Sequence, residues 1–243
     1  MAVALAAAGC GGGQPPAPAP AADAKRVDPA TAGSVSGKVS FEGAAPAPAA
    51  IKLESDPACV REHPNGMTAD SVVVSNGGLD NVFVYVKDGL GNYAFDAPAG
   101  PVKLDQKGCR YTPHVFGVRT GQPIEISNSD QTMHNVHGGG TANRQFNYSQ
   151  ALQGMKNTTT FTAPEVMVRF KCNVHGWMEA YAGVLPHPYF AVTAGGAFEL
   201  NDLPAGTYTI EAWHEKFGTQ TQSVTVAPKE AKTLTFTFKA ATP

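Results

Sequence analysis

The sequence predicts an all-β protein of the sandwich or barrel class, and three observations carry that reading. Apolar and polar residues alternate with period two in one short segment after another from residue 33 onward. Gly, Pro and Asn punctuate those segments at short intervals. No window longer than a turn or two repeats at the 3.6-residue spacing of an amphipathic helix.

Each element follows from the same alternation. Val35, Gly37, Val39 and Phe41 share one face of a first strand, with Ser34, Ser36, Lys38 and Ser40 on the other. Residues 72–75 and 82–86 read as two further strands, separated by a turn containing Asn76-Gly77-Gly78. Residues 123–127 form a strand with Ile124 and Ile126 inward. Residues 165–172 set Val166, Val168, Phe170 and Cys172 on one face, and Met167, Arg169 and Lys171 on the other. Residues 198–200, 208–213, 223–226 and 234–238 complete the set. A boundary falls near Leu185-Pro-His-Pro188, where two prolines interrupt any ladder. The expected units are therefore N-terminal strands at 34–102, a central sandwich at 103–186 and a smaller β-module at 187–243.

With 243 residues, 42% of them hydrophobic and 16% charged, the chain is long enough for one large or two small cores. A formal net charge of −2 leaves no basic footprint, so nucleic acid is not an expected partner. No run of eighteen apolar residues reads as a membrane-spanning helix. Residues 1–10 are small and apolar up to Cys10, and Leu5-Ala-Ala-Ala-Gly-Cys10 resembles a bacterial lipobox. Cys10 is accordingly expected to be lipidated, with more than one acyl chain giving stable anchoring. Residues 11–33, rich in Pro, Ala and Gly, read as a disordered tether with little to bury. The expected location is the periplasm, anchored to the membrane through lipid alone.

The chemistry concentrates in Cys172-Asn-Val-His175-Gly-Trp-Met178, at the end of a buried strand. A soft thiolate, an imidazole and a thioether at this spacing suit copper, with a second histidine to come from elsewhere. Structural zinc would prefer several Cys or His without a thioether. Asn128-Ser-Asp-Gln-Thr-Met-His134-Asn-Val136 supplies a candidate, and His137 is its rival. The two lie an odd offset apart, so on an extended strand they point to opposite faces and only one can meet the Cys172 strand.

These residues resemble a cupredoxin, similar to plastocyanin and its relatives: His134-Asn135-Val136, a variable stretch, then Cys172, His175 and Met178. The resemblance covers roughly residues 103–185. It implies a Greek-key β-sandwich holding one type 1-like copper ion, with His134 rather than His137 as a ligand and Asn135 bracing the ligand loops. The His175-Gly-Trp-Met178 spacing is shorter than in plastocyanin-like loops and resembles the binuclear copper loop of cytochrome oxidase subunit II. That loop needs two cysteines, and Cys172 stands alone here, so a mononuclear site is implied. With Cys10 for lipid and Cys172 for metal, Cys59 and Cys109 remain as an even pair in an oxidising compartment. A disulfide between them would close a loop of about 51 residues, worth roughly 4 kcal/mol. His63, His114, His187 and His214 read as ordinary surface or interface residues, and Trp177 either packs the site or marks a docking surface.

Two further resemblances bear on organisation. The run from Gly196 to Ala212, containing Leu203-Pro-Ala-Gly-Thr-Tyr208, resembles the carboxypeptidase regulatory-like (transthyretin-like) β-sandwich. Such modules begin with a Gly-x-Val-x-Gly-x-Val strand, and Gly33-Ser-Val-Ser-Gly-Lys-Val39 has that pattern, so the N-terminal strands are expected to pack with the C-terminal ones. Met167-Val-Arg-Phe-Lys-Cys172, Trp177-Met-Glu-Ala-Tyr181 and His187-Pro-Tyr-Phe190 resemble bacterial proteins labelled methylamine-utilisation-like, which implies a redox chain. The expected function is single-electron transfer between periplasmic redox proteins such as c-type cytochromes or a dehydrogenase. The alternatives are a non-redox copper carrier or storage protein, and a β-sandwich binding module with a vestigial metal site. No open coordination position or acid/base pair is legible, so catalysis is not expected.

Overall fold

The alternation at residues 34–41 becomes the strand Gly33–Glu42, whose Val35, Val39 and Phe41 are buried while Lys38 is exposed. It pairs antiparallel with Ala197–Leu203 on one side and parallel with Ala231–Lys239 on the other. A strand from the N-terminal stretch thus lies between two from the C-terminal module. The sheet facing it runs Phe190–Val192, Phe83–Asp88, Gly206–His214, Gly218–Val226. Val35, Val39, Leu79, Val84, Leu200, Ile210 and Phe236 fill the space between. Each such side chain contributes about 1.5–3 kcal/mol by leaving water. The computed structural model describes residues 23–54 and 56–240; Cys10, the leader and the first part of the tether lie outside the described residues.

The chain between these pieces builds a second sandwich. One sheet runs Lys156–Thr160, Pro123–Asn128, Val102–Gln106, Tyr111–Thr112. The other runs Phe146–Gln150, His134–Gly138, Glu165–Lys171, Glu179–Leu185, Val115–Arg119. Its core joins Leu104, Ile124, Ile126, Val136, Phe161, Val168, Phe170 and Val184. The chain is all-β, built as two sandwiches, with one six-residue helix, Pro57–Glu62, among the described residues.

The two sandwiches meet through Phe83, Tyr85, Val115 and Leu185. The strand Glu179–Leu185 approaches Phe83 closely: a Cβ at Gly183 would lie 2.2 Å from the ring. His114 of one sandwich pairs with the buried carboxylate of Glu215 of the other, and its Nδ1–H donates to Glu179 O at 3.0 Å.

The structure differs from the sequence reading at three places. The hairpin at Asn76-Gly77 joins Val74–Ser75 to Gly78–Leu79, not to residues 82–86, because Asn76 and Gly77 both adopt positive φ (51° and 74°) and close a two-residue turn. Val166 is exposed rather than inward: the ladder shifts register between Glu165 and Val168, so its parity does not carry through. Residues 34–102 do not form one unit. Gly33–Glu42 and the strands from Val74–Ser75 to Phe83–Asp88 join the C-terminal sandwich, whereas residues 50–54 and 56–68 leave it and cover one end of the other.

Candidate metal centre

The strand His134–Gly138 and the end of Glu165–Lys171 lie side by side, pairing at His137 with Lys171 and Gly138 with Phe170. Beyond this register the chain turns: Met178 N–H donates to His175 O at 3.0 Å, and Cys172 N–H to Met178 O at 3.1 Å. That tight loop aims the His175 backbone N–H at the Cys172 sulfur, 3.3 Å away. His134, Cys172 and His175, all buried, thereby bring one donor atom each to within 4.8 Å of one another. His134 Nδ1 is 3.0 Å from His175 Nδ1, and Cys172 Sγ is 3.9 Å from His175 Nδ1.

The far side of each ring explains the near side. His134 Nε2–H donates to Asp130 Oδ2 at 2.8 Å, and His175 Nε2–H donates to Asp56 Oδ2 at 2.8 Å. Both carboxylates stay ionised. Burial raises the Asp56 carboxyl, but bonds from His175, Thr132 and the N–H groups of Ala58 and Cys59 outweigh it and bring it down to about 2. Asp130 is likewise lowered against its burial by His134 and the N–H groups of Cys109 and Gly108. With Nε2 committed as donor, each neutral imidazole presents an Nδ1 lone pair inward. Two lone pairs 3.0 Å apart repel unless a proton or a metal ion lies between them.

Electrostatics point the same way. Burial lowers the basicity of His134, yet Asp130 and Cys172 raise it to about 9. His175 is raised too, by Cys172 and Asp56 against burial. Burial pushes the Cys172 thiol up, but hydrogen bonds from His134, His175 and the His175 N–H bring it to about 6, a ready thiolate. The arrangement of imidazole with a carboxylate behind it is the one that orients metal-binding histidines and strengthens them as ligands. Imidazole and thiolate donors fit copper well.

The other expected residues fall as follows. Met178 is 1% exposed and lies in the apolar cluster that also holds Cys172. Asn135 ties the ligand loops together: its Oδ1 accepts from Asn173 N–H at 3.1 Å, and its Nδ2 donates to Tyr148 O at 3.0 Å. His137 is on the opposite face, outside the cluster of donor atoms. Cys59 and Cys109 form a disulfide, with Cα atoms 5.8 Å apart. They also stand near the donor set, Cys59 Sγ being 4.0 Å from His175 Nε2, but as disulfide sulfurs they offer no thiolate. Trp177 packs its ring 5.0 Å from that of His175 and donates its indole N–H to Cys109 O at 3.0 Å. His63 bonds Gly108 O, while His114 is half-buried and His187 and His214 are buried in the sandwiches, all outside the donor set.

Asp130 and Asp56 stand outside the ligand motif that the sequence displays. Asp130 carried a weak signal, four residues before His134 in a polar turn. Asp56, before Pro57, is legible as a helix cap, with nothing local to tie it to His175.

Residues 188–239 match the carboxypeptidase regulatory-like domain. No curated protein matches the chain. Among solved structures it is similar to a copper-containing nitrite reductase from Thermus scotoductus SA-01, at 21% identity and a TM-score of 0.34, covering 40% of this chain and 24% of that one. It is also similar to a purple cupredoxin from Nitrosopumilus maritimus, at 16% identity and a TM-score of 0.30, covering 34% of this chain and 98% of that one. An oxidised amicyanin variant is similar at 18% identity and a TM-score of 0.32, covering 42% and 97%.

Proposed function

We propose that His134, Cys172 and His175, with Met178 beside them, hold a single copper ion, and that the protein carries single electrons between redox partners. The observation that supports this best is the convergence of two imidazole Nδ1 atoms and a thiol of lowered pKa in a buried site, each histidine fixed from behind by a carboxylate. Copper in such a site supplies one-electron Cu(II)/Cu(I) chemistry. The chain's own residues do the rest: Asp130 and Asp56 set the imidazole tautomers, Asn135 holds the two ligand loops at fixed separation, and the apolar cluster around Phe170 and Met178 keeps water out. A site braced in this way rearranges little between oxidation states, which favours electron carriage over catalysis.

A copper carrier would need a ligand open to exchange, and His134 and His175 are 0% and 1% exposed. That burial supports a resident ion. The proposal extends to a periplasmic setting, a lipid anchor at Cys10, and partners such as c-type cytochromes or a dehydrogenase. The oxidised, copper-loaded protein should show an intense thiolate-to-copper band that disappears in Cys172→Ser. A colourless protein without reversible reduction would refute the reading.

A further inference from the structure

His175 lies in a loop at one end of its sandwich, where a side chain is ordinarily open to water, yet it is 1% exposed. Its cover comes from residues 50–54 and 56–68, which belong to neither sandwich. These residues close on themselves through the pairing of Ala50–Ile51 with Met67–Thr68. Leu53, Cys59, Met67 and Cys109 then form a small apolar cluster against Trp177.

Within that cover the Asp56 carboxylate is used completely. Its Oδ1 accepts from Ala58 N–H at 2.7 Å and Cys59 N–H at 3.3 Å, capping the helix Pro57–Glu62. Its Oδ2 accepts from Thr132 Oγ1–H at 2.9 Å and from His175 Nε2–H at 2.8 Å. Cys59, in the first turn of this helix, is bonded to Cys109. Cys109 N–H in turn donates to Asp130 Oδ2 at 2.8 Å, and Asp130 is the partner of His134. One disulfide therefore joins the two backbone segments that carry or brace both carboxylates.

We propose that Asp56 is a positioning residue of the metal centre, held on the outer edge of His175 by the Cys59–Cys109 disulfide, and that this latch retains the bound metal. The inference rests on the assignment of His134, Cys172 and His175 as ligands. A carboxylate behind the imidazole fixes Nδ1 as the inward donor and increases its basicity. His175 cannot swing off the metal without breaking a bond to a carboxylate that three other groups hold.

The test uses the full chain loaded with zinc, which needs no redox step. Affinity and the rate of release to a chelator are compared for wild type, Asp56→Asn and Asp56→Ala. Asp56→Asn keeps the helix cap through its amide oxygen, so its circular dichroism should match wild type, while its amide nitrogen cannot accept from Thr132 or His175. Asp56→Ala is expected to weaken zinc binding by about tenfold to a hundredfold and to speed release accordingly, with Asp56→Asn in between. Long-range proton–nitrogen NMR supplies a readout that a purely structural role would not move. In both variants the strongly hydrogen-bonded Nε2–H signal of His175 should shift or vanish, while that of His134 stays. Unchanged affinity, release and His175 signal in Asp56→Ala would overturn the inference while leaving the ligands standing. Failure of the wild-type protein to bind one equivalent of zinc would overturn both together.

Discussion

His134 and His175 face each other through their Nδ1 atoms at 3.0 Å, and each turns its Nε2 to a carboxylate that the other does not touch. The two donors look equivalent from the metal side but are supported by different parts of the chain. Asp130 stands in the same turn as His134, whereas Asp56 arrives from a covering segment far upstream.

His134, not His137, is expected to bind the metal. His134→Ala should reduce metal affinity by more than the roughly hundredfold that loss of an outer partner costs. His137→Ala should retain one equivalent of metal with near-native affinity, because His137 is on the other face of its strand. Calorimetric titration of both variants with zinc checks this, and comparable losses in the two would contradict it.

Removing the disulfide should cost stability. Cys59→Ala with Cys109→Ala frees a loop whose ends lie 50 positions apart, and the expected loss is about 4 kcal/mol in the loop-entropy account. Denaturant titration of the metal-free protein measures it. A loss under about 1 kcal/mol would mean that the cover is held in place by Leu53 and Met67 without the bond.

The interface between the sandwiches has little room. Gly183→Ala would set a methyl 2.2 Å from the buried ring of Phe83, so ring or strand must move. A destabilisation of about 1–3 kcal/mol is expected, as for overpacking elsewhere. Thermal melting would register it, and an unchanged melting temperature would show that Phe83 has space to yield.

Acid should act through His187. Burial, with the nearby charge of Arg119, depresses its pKa to about 4. Between the unfolded value near 6.5 and about 4 the unfolded chain binds the extra proton, so stability falls as pH falls through that window. The full difference is worth roughly 2–4 kcal/mol. Its Nδ1 accepts from Tyr189 N–H at 3.3 Å, a bond that His187→Asn can imitate without titrating. That variant should lose less stability than wild type between pH 6.5 and 4; parallel curves would remove His187 from the account.

Much of this architecture is legible in the sequence because strands write their burial locally. Val35, Val39 and Phe41, or Ile124 and Ile126, announce an inward face within a few residues. The same parity separates His134 from His137. It fails at Val166, where a register shift inserts residues the alternation cannot anticipate. It is silent on Asp56, because the contact with His175 spans 119 positions and depends on a helix and a disulfide that place one carboxylate oxygen. The donor set is readable as a motif; the groups that orient it come from tertiary structure.

The strand Gly33–Glu42 has a consequence for how the molecule comes together. It is flanked by Ala197–Leu203 and Ala231–Lys239, so its parallel edge stays open until nearly the whole described chain has emerged. The sandwich with the candidate metal site is contiguous and can close first, while the other must wait for a long-range parallel pairing, a slow class of contact. Assembly is therefore ordered, with Phe83 and Tyr85 uncovered in the interval. In refolding followed by Trp177 and Trp213 separately, through single Trp→Phe variants, the Trp177 signal should recover before that of Trp213.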